Sequence, residues 1–418
     1  MPANRIIYWF RNELRLHDNA GFAQACADAD VVLPVYVFDP ASFDPLPGLS
    51  VPKAGRFRTR FLLESLADLR HRLRARGGDL IIRTGKPADV LADLIREHGA
   101  TAVYAGQEAT SEEVVLEADV RSRLQPTGAS LRLFWMLSLY HIDDIPWAVP
   151  DVPDAYRDFR KGCEKQSAVR AEVPEPERVT LPDGVDAGAL PTLPGLGFDD
   201  AAPDPRAAIG HVGGETAALN RLDAYFWSRD QLKNYKYTRN NLLGEDYSSK
   251  FSAWLAYGCL SPRRIYWQVK HYEQDRTKND GPALRSTYWL VFELIWRDYF
   301  RFQALKQGSL IFRAMGPRGV KTGRWTKDYA RFEWWASGHS VRGCQHARTE
   351  RHGLPVEPGR QNVASHLLND LGVWWPWGAG YLESLLIDYD PASNWGNWNL
   401  VAKNGADPRN DRYFNCYT

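Results

Sequence analysis

Cysteine is scarce in this chain, and where it occurs it is unpaired in pattern. Five cysteines (Cys26, Cys163, Cys259, Cys344 and Cys416) are scattered over 418 residues, odd in number and never in a CxxC pair. That spacing excludes a disulfide framework and argues against a zinc or iron–sulfur site, so no metal is expected. Long apolar runs are missing too: none approaches the roughly 20 residues of a membrane helix. The start, MPANRIIYWFR, has no signal-peptide core, so a cytoplasmic protein without membrane contact is expected. Charge of one sign is also lacking, with 52 Lys and Arg against 51 Asp and Glu, a net +1. The balance excludes a histone-like or tail-driven nucleic-acid binder but permits a local basic groove. Finally, the first apolar run, RIIYWF, leads into FRNELRLHDN and not into a glycine-rich turn. The dinucleotide fingerprint is therefore absent.

What the chain has in excess is tryptophan: 16 residues, 13 of them between Trp227 and Trp398. Indoles concentrated in this way point to a large helical core, a stacking surface or a route for electrons. The length predicts two or three domains. Over residues 1–145, short β-branched runs (RIIYWF, VVLPVYVF, DLIIRTG, TAVYAG, LRLFWM) alternate with amphipathic stretches such as FLLESLADLRHRLRARG, PADVLADLIREHG and SEEVVLEADVRSRL. The alternation predicts an α/β domain with a doubly wound, parallel sheet. Residues 146–215 are expected to connect domains, loosely from 171 onward, where Pro, Gly and Asp dominate. From 216 to 418 helical periodicity takes over, predicting an all-α, aromatic-rich domain.

Three segments could carry chemistry. In LGEDYSSKFSAWLAYG, Ser248, Ser249, Lys250 and Ser252 stand where a loop should enter a helix, a setting suited to phosphate; a plain Ser cap is the competing reading. In ELIWRDYFR, Glu293, Trp296 and Arg297 share one helical face and could stack on a base and grip its polar edge, or form an internal ion pair. In LLIDYDPASNWGNWN, Asp388, Asp390 and Asn394 offer acceptors and an amide, or an Asx turn leading into a Gly-Asn loop. No His or Cys accompanies them at metal-ligand spacing.

Together these segments resemble the photolyase/cryptochrome family, specifically its DASH-type cryptochromes. WFRNELRLHDN, DVPDAYRDFRK, YKYTRNNLLGEDYSSKFSAWLAYGCLSPRRIYWQ, STYWLVFELIWRDYFRFQALKQG, GRQNVASHLLNDLG and ESLLIDYDPASNWGNWNLVA follow in family order. The resemblance implies an FAD folded inside the helical domain. Tyr235, Ser248, Ser249, Lys250, Phe251 and Ser252 would hold its pyrophosphate side, and Asp388, Asp390 and Asn394 its ribityl chain and ring. Arg239, Glu293, Trp296 and Arg297 would line the mouth that takes a flipped-out pyrimidine dimer, with Glu293 also catalytic and with Arg263 and Arg264 nearby to hold phosphates. Trp398, Trp375 and Trp325 would relay electrons from flavin to surface. The implied function is light-driven splitting of cyclobutane pyrimidine dimers, mainly in single-stranded DNA, by a monomer that also carries a folate antenna (5,10-methenyltetrahydrofolate). A blue-light photoreceptor without repair is an alternative, against which the ending RYFNCYT, without a long tail, is expected to weigh. Leu400 replaces an aromatic clamp, which should favour single strands.

Between Ser340 and Arg360 the resemblance breaks. Codons that spell Val341 to Gly359, read one base later, spell FVDANMRELNATGFLSNR, the family's pattern, so a pair of compensating frameshifts is inferred. Ala347 then stands where the family places an Arg opposite Asp388, and Glu357 and Pro358 replace an Asn and an Arg. These changes predict an unpaired Asp388 and weak FAD loading. The further alternative is a pseudoenzyme with a broken flavin pocket.

Overall fold

The computed structural model describes residues 3–200, 210–241, 244–279, 284–320, 323–338 and 357–405. Five strands form the expected sheet: β1 (Arg5–Phe10), β2 (Val31–Phe38), β3 (Ile81–Thr84), β4 (Ala102–Gly106) and β5 (Ser130–Phe134). All pairings are parallel, in the order β3-β2-β1-β4-β5, with Ile7 opposite both Leu33 and Val103. Both sheet faces are covered, which is why β1 and β4 are apolar at every buried position and do not alternate. The covering helices are α1 (Ala20–Asp28), α2 (Arg56–Arg74), α3 (Pro87–His98) and α4 (Ser111–Leu124). Local chemistry sets their ends. Asn19 caps α1 by accepting from the Phe22 amide, Gly99 ends α3 in the left-handed conformation, and Thr110 with Glu113 forms a capping box on α4.

The segment expected to be a connector is built into the structure. Its first part holds a helix, α5 (Tyr156–Gln166). The Pro-rich part that follows is strapped to the α/β domain: its Thr180 and Ala187 carbonyls accept from the Val32 and Ile82 amides at 3.0 and 2.8 Å. Edge-like hydrogen bonding, not periodicity, holds it there, so pattern reading could only register it as loose.

The second half is helical. It comprises α6 (Glu215–Asp223), α7 (Tyr235–Thr238), α8 (Ser252–Ala256), α9 (Pro262–Asn279), α10 (Leu284–Gln307), α11 (Tyr329–Ala336), α12 (Glu357–Ser365), α13 (Trp375–Leu385) and α14 (Pro391–Val401). The Gly-Asn stretch after Asp390 is thus helix, not loop. Gly396 is there for space, since a Cβ would come 2.3 Å from the Phe300 ring of α10.

The two halves are locked by FRNELRLHDN. Gly258 (φ +59°) passes so close that a Cβ would sit 2.1 Å from the Asn12 carbonyl. The Leu16 and His17 amides donate to Glu215 at 2.8 and 3.0 Å, and His17 Nδ1 and Arg72 complete its shell. Burial pushes the Glu215 carboxyl up, but His17, Arg72 and the Leu16 amide outweigh it and hold the group at about 2. Arg263 lies in this seam, paired with Asp18 at 2.6 Å, and Arg264 pairs with Glu172 at 2.6 Å. Both were expected to hold phosphates; their charges are instead matched inside the protein.

Candidate flavin cavity and its walls

One cavity of about 600 Å³ opens between α7, α8, α10, α12 and α14. Tyr235, Arg239, Ser248, Ser249, Lys250, Phe251, Ser252, Glu293, Trp296, Arg297, Asp388, Asp390, Asn394 and Trp398 all line it. The three segments singled out from sequence therefore meet at one place.

The SSK segment works through its loop and not through a helix end. α8 has only five residues, and no side chain caps it. The loop instead holds two non-glycine residues, Ser248 (φ +63°) and Lys250 (φ +62°), in the left-handed region, a strain found where the surroundings enforce it. Arg221 enforces it here, donating to the Ser249 and Glu245 carbonyls at 3.1 and 3.0 Å. Lys250 has no carboxylate partner among the described residues. Burial, with the Arg221 and Arg360 charges, pushes its ammonium down to about 8. A partly buried cation left without a counter-ion suits a phosphate-bearing ligand.

The opposite wall is acidic but compensated. Asp390 caps α14 by accepting from the Ser393 amide at 2.7 Å. Arg301 donates to Asp390 at 3.2 Å and to Glu108 at 2.9 Å. Burial alone would raise the Asp390 carboxyl, yet Arg301 and Arg297 carry it below its ordinary value. Asn394 donates to the Ala379 carbonyl at 3.1 Å, which fixes its amide.

Asp388 is not unpaired. Arg360, on α12, donates to both of its carboxylate oxygens at 2.8 and 2.7 Å. The expectation had looked only to Ala347, which lies outside the described residues, as does the segment 339–356 as a whole. Arg360 had been read merely as the point where the resemblance resumes. From α12 its long side chain reaches the acid.

At the mouth, Glu293 pairs with Arg239, whose guanidinium also lies 4.7 Å from the centre of the Trp289 ring. Arg297 lines the cavity, but its guanidinium is spent on the Leu137 and Leu255 carbonyls. It shapes the wall and is not a free cation. Leu400 is buried in the α14 wall.

The three tryptophans occupy different depths. Trp398 is buried on the cavity wall, Trp375 is wholly buried, and Trp325 is half-buried. Trp375 meets Trp395 edge to face at 5.8 Å, and Trp395 sits one turn before Trp398. The backbone flanking Trp325 is tied to this group, since the Trp374 amide donates to Thr326 at 2.9 Å. Sequence reading passed over Trp395, although its spacing of three from Trp398 signals a shared helix face.

A second cavity, about 330 Å³, escaped the sequence entirely. It lies beyond the carboxyl ends of β1 and β2 beside the residues following β4, the switch point at which doubly wound sheets bind ligands. Trp9, Tyr36, Phe38, Glu108, Glu113 and Arg58 are among its walls, and Tyr389 and Asp390 are shared with the first cavity. Burial and the Glu108 charge push Glu113 up to about 7.

Fold and cavity together define a protein with an α/β domain and a helical domain whose cavity suits a phosphate-bearing cofactor. The family model described as DNA photolyase matches residues 6–177, and that described as the FAD binding domain of DNA photolyase matches residues 289–418. The chain belongs to the photolyase/cryptochrome family. It is 46% identical to Cryptochrome DASH of Gloeobacter violaceus, over 99% of this chain and 82% of that one, and 44% identical to the chloroplastic/mitochondrial Cryptochrome DASH of Arabidopsis thaliana, over 98% and 71%. The solved Synechocystis cryptochrome superposes with a TM-score of 0.93 at 40% identity, covering 99% of this chain and 85% of that one. A class III photolyase of Agrobacterium tumefaciens gives 0.83 at 25% identity, covering 100% and 83%. The protein is a cryptochrome/photolyase flavoprotein whose cofactor is FAD. Lys250, which has no carboxylate partner among the described residues, and the strained SSK loop suit the phosphates of that cofactor, and Asp388, Asp390 and Asn394 line the same cavity. Among the described residues no helix is long and apolar enough to cross a membrane.

Proposed function

We propose that this flavoprotein splits cyclobutane pyrimidine dimers, mainly in single-stranded DNA, under blue light. One observation carries the reading: the wall holding Glu293, Trp296 and Arg239 belongs to the same cavity as the SSK loop and the Asp388–Asn394 wall. A base entering that mouth would lie against the cofactor's chamber. FAD, when bound, supplies photoinduced electron transfer. The chain's own residues do the rest: Trp296 gives a stacking surface, Glu293 and Arg239 offer an acceptor and a cation, and the buried wall excludes water. Extruding a dimer from a duplex costs several kcal/mol that a single strand largely escapes. Leu400 supplies no aromatic face to repay it. Trp398, with Trp375 and Trp325, would re-reduce the cofactor from the surface.

The second cavity is the proposed seat of a folate antenna. Its aromatic walls suit a flat heterocycle, and Glu108 and Glu113 suit N–H donors on its edge. We take the protein to act as a cytoplasmic monomer, which fractionation and sedimentation would check.

Illuminating dimer-bearing oligonucleotides and following the return of thymine absorbance tests the function. Single strands should be repaired faster than duplex. Equal rates, or none with full FAD loading, would overturn it. In the same assay Trp398→Phe should keep its FAD but lose rapid photoreduction, because phenylalanine is far harder to oxidise.

A further inference from the structure

Trp296 is distinguished from the other cavity walls by what lies behind it. Tyr156, the first residue of α5, lies flat against its indole, with ring centroids 3.5 Å apart and planes 9° from parallel. Tyr156 is itself held on several sides. Its hydroxyl donates to the Phe292 carbonyl at 3.0 Å, and its ring meets Phe292 and Tyr299 edge to face at 5.3 and 5.7 Å. Tyr299 also meets Trp296 edge to face at 5.5 Å. The helix that carries Tyr156 is docked on α10 a turn further on: Arg160 donates to the Tyr288 hydroxyl, and Tyr288 donates to Glu164 at 2.7 Å. Tyr156 is 4% exposed, whereas Trp296 keeps a partly exposed surface in the cavity. Burial pushes the Tyr156 phenol far above its ordinary range, so it remains a neutral ring.

We propose that Tyr156 is a positioning residue for the DNA substrate, a backing plate that holds the Trp296 indole in place where its exposed part lines the cavity. An indole on a half-open wall would otherwise lose rotamer freedom when a base stacks on it, and that loss weakens binding. With Tyr156 behind it the indole is already ordered. The segment that carries Tyr156 then contributes to substrate recognition without touching substrate. This inference rests on the dimer-binding reading of the cavity.

The test is affinity, measured in the dark with the full FAD-loaded chain, for a single-stranded oligonucleotide carrying one thymine dimer and for its undamaged counterpart. Tyr156→Leu should weaken the damaged strand about 3- to 10-fold, the range for an aromatic pair. The undamaged strand, held through phosphates, should change less than about 2-fold. Tyr156→Phe keeps the ring and should restore binding to within about 2-fold of the parent. Tyr156→Met fills the same space with a flexible chain and replaces Tyr156→Leu should that variant not fold. Trp296→Ala separates the two layers of argument. If it leaves dimer affinity unchanged, the cavity is not the dimer site, and both readings fall. If it weakens binding while Tyr156→Leu or Tyr156→Met binds like the parent, only the backing plate is overturned. Equal losses in Tyr156→Phe and Tyr156→Leu would also overturn it, since the hydroxyl anchor would then matter and the ring would not.

Discussion

The two cavities share a wall but distribute charge in opposite ways. In the flavin cavity the SSK loop presents Lys250, which has no carboxylate partner among the described residues, close to Arg221 and Arg360. In the cavity at the strand ends most charges are matched within the protein, Arg11 with Glu117, Lys53 with Glu112 and Arg301 with Glu108, while Arg58 donates to the Tyr257 hydroxyl and the Lys53 carbonyl and lies over the Tyr389 ring. Arg301 stands between them, since its other hydrogen bond goes to Asp390. A charge the fold leaves unmatched is one its ligand must match. The first cavity therefore suits an anion, and the second suits the flat heterocycle of a folate, held by aromatic walls and buried hydrogen-bonding groups.

The largest effect should come from removing a matched cation of the flavin cavity. Arg360→Ala would leave Asp388, whose side chain is only 3% exposed, as a buried carboxylate without its partner. Breaking such a pair costs about 3 kcal/mol, or roughly 100-fold in FAD affinity if the cost is met in the loaded pocket. Flavin absorbance per protein should collapse, and Asp388→Asn in the same chain should restore part of it. Full FAD occupancy in Arg360→Ala would show that the acid finds another partner, and would return attention to the segment before α12.

How much of this could be read beforehand differs between the same two regions. The α/β half was legible because its strands are buried on both faces and its helices are capped by local chemistry, so β1 through β5 and α2 through α4 fall where periodicity put them. The walls of the flavin cavity were legible only as motifs. The chemistry of Ser248–Ser252 and Asp388–Asn394 is short-range, but their meeting is a tertiary event carried by the resemblance. The second cavity was illegible, because its residues come from strand ends, loops and Tyr389, with no spacing to connect them. Arg301 and Arg360 were missed for a related reason: an arginine's partner is set by where its long side chain ends, and Glu108 lies 193 residues from Arg301. Tyr156 was quoted as part of DVPDAYRDFRK, yet nothing local showed it beneath Trp296.

A smaller effect should follow from pH. Lys250 in the cofactor-free cavity has its ammonium pushed down to about 8. A phosphate anion prefers the charged form, which dominates below that value and is lost above it. FAD binding must then take up a proton at high pH, so affinity should fall as pH rises through 8, by about 10-fold between pH 7 and pH 9. Lys250→Met should bind FAD more weakly at pH 7 and lose this dependence. Titrating the cofactor-free protein with FAD at several pH values gives the profile directly. A profile as steep in Lys250→Met as in the parent would assign the proton elsewhere.

The smallest expected effect bears hardest on the contrast. Lys53 lines the second cavity as Lys250 lines the first, and a count of wall residues would treat the two alike. Their surroundings differ: Lys53 already pairs with Glu112, and the pair is open to solvent, Lys53 half-buried at 34% and Glu112 exposed at 61%. An exposed pair contributes about 0–1 kcal/mol and leaves its cation little to offer a ligand. Lys53→Met should therefore change the affinity for 5,10-methenyltetrahydrofolate by less than about 2-fold, against the clear loss of FAD binding expected for Lys250→Met. Glu108→Gln should weaken the same probe more than Lys53→Met, because it removes an acceptor buried in the wall together with the partner of Arg301. A loss of about 10-fold or more on Lys53→Met would mean that Lys53 grips the folate's carboxylates despite its pairing with Glu112, and that matching within the protein does not distinguish what the two cavities take.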